Sequence, residues 1–195
     1  MDSGTMTALI IALVILIVFS GFFSATETAY TSFSSVRMRR FAAKKKSAQI
    51  ALKLSENYNK ILTTLLIGNN IVNTTASTIG TVLFVALLGE GLGPTISTIV
   101  LTVVVLIFGE ITPKTIAKEY PEAFACFAAY PLYVFTIILY PLNWLFGRWE
   151  TFVFFVFRLN RKKQAEYTEA EFKMLVSDVK EDGVLNETEQ ELIHR

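Results

Sequence analysis

Oxygen-bearing side chains fall in three groups inside long apolar runs of this chain, where polar atoms without partners are costly. Ser20, Ser24 and Glu27 follow one another at spacings of four and three, which stacks them on one face of a helix. Gly68-Asn69-Asn70-Ile71-Val72-Asn73-Thr74 brings either Asn69 with Asn73, or Asn70 with Asn73 and Thr74, to one face. The third group is Gly109-Glu110-Ile111-Thr112-Pro113-Lys114. Pro113 has no N–H to bond the carbonyl four residues earlier, so the Gly109 carbonyl is left free beside the Glu110 carboxylate. Hydroxyls, amide carbonyls, a carboxylate and a freed backbone carbonyl, with no histidine or thiol among them, are hard donors. That set suits Mg²⁺, Ca²⁺, Mn²⁺ or Na⁺ and disfavours Zn²⁺ or Cu. Broken helices with free carbonyls at membrane depth are one way transporters hold cations.

Each group also has a purely structural reading. Ser20-x₃-Ser24 and Gly21-x₃-Ala25 are small-residue ladders that let helices approach closely, and asparagine within a span can join helices by hydrogen bonds. Lys114 is a ready ion-pair partner for Glu110 at the membrane boundary, and Glu27 can snorkel toward the Arg37–Lys46 cations.

The elements that must position these groups follow from how charge is distributed. The chain of 195 residues is 52% hydrophobic with 18 basic and 17 acidic side chains. Residues 3–26, 61–89, 91–109 and 123–147 contain no ionised side chain, whereas 148–195 hold 18 charges. Such segregation defines a membrane protein with a polar tail. Residues 1–163 carry a net +7 and 164–195 a net −6. The basic excess flanks apolar segments, so it reports topology and gives no reason to expect nucleic acid as a partner. Cys126 as the single cysteine excludes an intrachain disulfide.

At about 1.5 Å per residue, some 20 residues cross a hydrocarbon core of about 30 Å. The run from Met6 to Phe23 lacks the basic leader and cleavage site of a signal peptide, so it is a retained span. Arg37, Arg39, Arg40 and Lys44–Lys46 follow it, which places the N-terminus outside and this cluster in the cytoplasm. Residues 36–54 interleave apolar and basic side chains and predict an amphipathic helix on the inner leaflet. Residues 61–88 return, Gly89–Pro94 turn outside, and 95–110 cross inward. The run 123–147 has cations at both ends, Pro131 and Pro141 within it, and a dense set of tyrosines and tryptophans. These favour a re-entrant or belt-like juxtamembrane path over a fourth straight span.

The tail carries two helix-start signals, Thr168-Glu-Ala-Glu171 and Asn186-Glu-Thr-Glu189, separated by Asp182-Gly183. They predict an acidic helical hairpin. Asp178-x-Lys180-x-Asp182-Gly183-x₅-Glu189 matches part of a calcium loop, but Lys180 stands where an oxygen ligand belongs, and the Asp-Gly turn is explained by joining two capped helices.

Ser20-Gly-Phe-Phe-Ser24-Ala-Thr-Glu27, Gly68-Asn69-Asn70 with Asn73, and Gly109-Glu110-Ile-Thr-Pro113-Lys114 together resemble the DUF21-type transmembrane domain of the CNNM/CorC magnesium transporters and exporters. The resemblance covers almost the whole chain. It implies an all-α membrane protein: a homodimer with three transmembrane helices, cytosolic short helices, a belt-like juxtamembrane helix and a C-terminal acidic helical bundle. On that reading residues 1–160 form the transmembrane domain, with spans at about 5–26, 61–88 and 95–110 and a juxtamembrane segment at 121–150. Residues 161–195 form the cytosolic acidic hairpin. The resemblance further implies that Ser20, Ser24, Asn69, Asn70, Asn73, the Gly109 carbonyl and Glu110 surround a Mg²⁺ in an inward-facing cavity, with a nearby Na⁺ site and Na⁺-linked export. The family's nucleotide-binding CBS pair lies beyond Arg195, so nucleotide is not expected to bind these residues. A homodimer also follows from the residues, since three spans give little wall for a closed cavity and the Phe124–Trp149 belt exposes more aromatic surface than one subunit covers.

No enzyme is expected. The sequence has no Ser-His pair, zinc-binding His-Glu helix, Walker loop or dinucleotide turn, and its one histidine is His194. Multi-pass transport of Mg²⁺ at the cell membrane is the leading expectation. The alternative is a membrane-anchored cation-sensing or interaction protein without transport activity.

Overall fold

The computed structural model describes residues 2–157, which are helical nearly throughout, with no strand among them. The predicted acidic hairpin and its capping signals lie outside the described residues. The order is α1 (Ser3–Ser32), α2 (Ser35–Ala42), α3 (Lys46–Ser55), α4 (Tyr58–Val104), a π-helical segment (Val105–Ile111), α5 (Thr112–Glu119), α6 (Pro121–Ile138) and α7 (Tyr140–Val156). Among the described residues, three helical stretches are long and apolar enough to cross a membrane: Ser3–Ser32, Tyr58–Glu119 and Pro121–Ile138. The chain divides into two compact units, Met1–Arg148 and Trp149–Arg195. Of the second, only the end of α7 is described, where the Trp149 and Phe152 rings lie 5.6 Å apart.

The long run is a hairpin. Gly89, at φ 80°, is its one non-helical residue, a conformation that glycine adopts at no steric cost. The predicted loop of Gly89–Pro94 therefore shrinks to a single reversing residue. Pro94 falls early in the returning arm, where it has no N–H to offer the Glu90 carbonyl four residues back, so only one helical bond at the start of the arm is given up. The arms touch closely: a Cβ on Gly93 would lie 2.6 Å from Val85 Cα, and one on Gly80 would collide with the Leu101 side chain.

Lipid offers apolar side chains no net reason to associate, so helices in it gather by close packing of small residues. On α1, Gly21, Ala25 and Ala29 recur every fourth residue and are all buried, while Ile11, Val14 and Val18 are exposed. On α4, Gly68 receives the Phe23 ring, whose Cε1 would lie 2.6 Å from an added Cβ. Phe23 continues the contact to Phe135 of α6, ring centroids 5.0 Å apart. Asn143 of α7 donates to Thr64 Oγ1 of α4 at 2.8 Å.

The single amphipathic helix expected over 36–54 is instead two short helices. Lys45 is extended (φ −130°, ψ 123°) between them. One straight helix through Arg37–Lys46 would stack like charges at i, i+4. The break also lets Met38 of α2 and Ala48 and Ala51 of α3 reach the same core, where all three are fully buried. Glu122, at the start of α6, accepts from the Ser34 N–H at 3.1 Å and pairs with Arg37 Nε at 2.9 Å, which fixes the head of α2. The predicted juxtamembrane segment 121–150 is likewise two helices. The chain runs helically through Pro131 and breaks at Leu139, just before Tyr140-Pro141.

Candidate functional site

Ser20 is where the three polar groups meet. It is fully buried on α1, and its hydroxyl lies 3.2 Å from Asn69 Oδ1 of the first α4 arm and 3.5 Å from the Gly109 carbonyl oxygen of the π segment. Asn73, one turn beyond Asn69, donates its Nδ2 to the same Oδ1 at 3.4 Å. Oxygens from two other segments, Asn69 and Gly109, thus converge within about one hydrogen-bond length of the Ser20 hydroxyl.

Local sequence explains the convergence. Glycine at 109 permits the close approach, because a Cβ there would sit 2.7 Å from Ser20 Oγ. Glycine at 21 lets Pro113 close on α1, where an added Cβ would lie 3.1 Å from Pro113 Cγ and 3.2 Å from the Phe108 carbonyl oxygen. Around this contact the helix widens into a π-turn from Val105 to Ile111, and the Thr112 N–H donates to the Ile107 carbonyl five residues back. The proline thus shifts the hydrogen-bond register as well as removing one bond. Single π-turns inside α-helices are frequent at functional sites because they re-aim carbonyls.

Two oxygens in this region have no hydrogen-bond partner. Ser24 Oγ and Asn73 Oδ1 are both buried and unsatisfied. A buried acceptor without a donor is normally an expensive defect. Together with the Gly109 carbonyl and Asn69 Oδ1 they form a set of neutral, hard oxygen donors of the kind a Group 1 or Group 2 cation accepts. The described residues contain no cluster of three or more His, Cys, Asp or Glu side chains that could hold a metal ion, so any cation here would be held mainly by neutral oxygens plus one carboxylate.

The structure sorts the predicted residues. Ser20, Asn69, Asn73 and Gly109 come together; Ser24 is buried one turn along the same face of α1. Asn70 does not join them. It is exposed, and its Nδ2 donates back to the Leu66 carbonyl at 2.8 Å. Of the two faces left open in the sequence, the Asn69–Asn73 face is the inward one. Glu110 is half-buried beside Gly109 and has no ion pair among the described residues. The boundary salt bridge belongs instead to Lys114 and Glu27, Nζ to Oε2 3.3 Å, so Glu27 ties α1 to α5 and Lys114 does not neutralise Glu110. The Glu27–Lys114 pair is the site feature that sequence reasoning missed; the signal was present, since Glu27 follows Ser24 on one face and Lys114 follows Glu110 by four.

The fold and the site define an all-α integral membrane protein whose packed helices enclose a small cluster of unsatisfied oxygens. The chain belongs to the family described as the Cyclin M transmembrane N-terminal domain, which it matches over residues 11–189. It is 36% identical over 184 residues to a UPF0053 protein of Haemophilus influenzae, covering 93% of this chain and 43% of that one. It is 40% identical over 127 residues to the UPF0053 inner membrane protein YfjD of Escherichia coli, covering 65% and 29%. A chloroplastic DUF21 domain-containing protein of Arabidopsis thaliana is 30% identical over 181 residues, covering 93% and 28%. The chain therefore spans less than half the length of these relatives.

Proposed function

We propose that this chain is the transmembrane domain of a transporter, not an enzyme, that moves Mg²⁺ across the cell membrane through the oxygen cluster around Ser20. The observation carrying the reading is an unpartnered acceptor, Asn73 Oδ1, on the side chain that joins the Ser20–Asn69–Gly109 cluster, with a second unpartnered oxygen, Ser24 Oγ, one turn along α1 from Ser20. Tyr30, Ser97 and Asn143 also carry a buried unpartnered oxygen, and what distinguishes Asn73 and Ser24 is their place at the meeting of three segments, where a cation needs free oxygens. Mg²⁺ takes about six oxygens at about 2.0–2.1 Å, so a largely dehydrated ion must draw on several segments, and three supply them here. Among the described residues Glu110 is the carboxylate adjoining the Gly109 carbonyl and has no ion pair, which leaves a bound Mg²⁺ with residual positive charge and sets a modest affinity suited to release. Export, with Na⁺ as the coupling ion bound nearby, is part of the same reading and rests on the family resemblance.

The reading includes a homodimer. What supports it is the exposure of Asn70 and Thr74 midway along α4, polar groups that a partner helix or a shared cavity would cover.

The test is thermal unfolding of the purified chain across a Mg²⁺ titration. Mg²⁺ should raise Tm, and Glu110→Gln, which keeps shape but removes the charge, should weaken this response more than Ser24→Ala or Asn73→Ala. Mg²⁺-dependent stabilisation that survives Glu110→Gln undiminished overturns the assignment and leaves the helix-packing or membrane-anchor reading.

A further inference from the structure

A second cavity lies away from the oxygen cluster, at the charged end of the helices. It is a cleft of about 610 Å³ between α3, the start of α4, and the junction of α6 with α7. Its chemistry is divided. Ile50 and Leu54 of α3 supply apolar wall, and Tyr133 and Tyr140 contribute two more lining residues whose rings are half-exposed. Lys53 and Lys60 also line it; both are exposed, and neither has an ion pair among the described residues. Lys60 Nζ stands 5.4 Å from the centroid of the Tyr140 ring, a cation–π contact that holds the ammonium at the cleft without neutralising it.

We propose that this cleft binds the headgroup of an anionic phospholipid. Charge complementarity is the first ground: residues 33–60 carry eight cations and a single carboxylate, Glu56, so the region facing the cleft is short of anions. Position is the second. Lys60 is the last ionised residue before the uncharged run 61–89, which puts the cleft where a span meets the headgroup layer and where each lysine near an anionic surface contributes most. The apolar lining is the third. A free phosphate would use the lysines and leave Ile50 and Leu54 wet, whereas a glycerophospholipid places its phosphate against Lys53 and Lys60 and lays its glycerol and upper acyl carbons on those walls. The volume falls in the ordinary range for small-molecule sites, about 300–1,000 Å³.

Native mass spectrometry of the full chain in mild detergent, with phosphatidylglycerol or phosphatidylcholine added, tests this. The unaltered chain should retain phosphatidylglycerol well above phosphatidylcholine. Lys53→Ala with Lys60→Ala should weaken phosphatidylglycerol binding by about thirtyfold, each lysine near the anionic layer contributing on the order of fivefold. Lys53→Arg with Lys60→Arg should retain it. Arg39→Ala with Arg40→Ala removes the same charge outside the cleft and should leave it unchanged, while Ile50→Trp, which fills the cleft with both lysines in place, should weaken it. Three results would overturn the proposal: equal loss in the Arg39/Arg40 variant, which means diffuse attraction to the basic surface; full competition by glycerol 3-phosphate at matched concentration, which means a soluble phosphate ligand; and no preference between the lipids, which means that a neutral lipid or a second copy of the chain covers the cleft.

Discussion

Replacing Gly109 by alanine separates the cation reading from the packing reading. The added Cβ would stand 2.7 Å from Ser20 Oγ, 3.2 Å from Ser20 Cβ and 3.4 Å from Val105 Cγ1. Ordinary contact needs about 3.5 Å, so the Ser20 hydroxyl must retreat by roughly 0.8 Å or rotate away. Its contacts to Asn69 Oδ1 and the Gly109 carbonyl are already 3.2 and 3.5 Å long and cannot survive that shift. For the fold, the overpacking cost of about 1–3 kcal/mol is offset by about 1 kcal/mol of helix propensity gained from losing a glycine, so apparent stability should fall by roughly 0–2 kcal/mol. For the site, losing one oxygen and the spacing of two others is comparable to losing a hydrogen bond to a charged group, about 1.5–3 kcal/mol, or roughly 10–100-fold in Kd. Stabilisation by ligand follows RT ln(1 + [L]/Kd). The Mg²⁺ concentration at which Tm begins to rise should therefore move up by one to two decades while the metal-free Tm changes little. If Gly109→Ala lowers the metal-free Tm yet responds to Mg²⁺ at the same concentrations as the unaltered chain, Ser20 and Gly109 are packing residues and the reasoning fails.

Other outcomes follow from the same geometry. Gly93→Ala puts a Cβ against the Val85 backbone at 2.6 and 2.8 Å, which cannot yield, so it should open the α4 hairpin and lower Tm sharply; Gly91→Ala, with nothing within 4 Å, should be neutral or slightly stabilising in the same melt. Glu122→Ala removes the acceptor for both the Ser34 N–H and Arg37, and should cost about 1–3 kcal/mol by denaturant titration, more than Arg37→Ala, whose side chain is 64% exposed. In a Cys126→Ser background, Ser3→Cys should react with an impermeant thiol reagent from outside and Gln164→Cys only from the cytoplasmic side; labelling of both from one side would mean a different number of crossings.

Much of the molecule is determined by sequence because lipid is a strict solvent. A residue run that crosses it must be apolar and helical, so α1 and the two arms of α4 were legible from uncharged stretches alone, and the oxygens of Ser20, Asn69, Asn73 and Gly109 stood out as exceptions to that rule. What periodicity cannot supply is which face of a helix looks inward. Asn69 and Asn70 are a single step apart and each had a partner at helical spacing; only the packing of Phe23 into Gly68 turned Asn69 toward Ser20 and left Asn70 exposed. By sequence Lys114 had Glu110 as its partner, and the close approach of Pro113 to Gly21 delivered it instead to Glu27. The π-turn is of the same kind. Pro113 predicted a missing bond, but the shift in register over Val105–Ile111, and with it the aim of the Gly109 carbonyl at Ser20, depends on a neighbouring helix that no local pattern encodes.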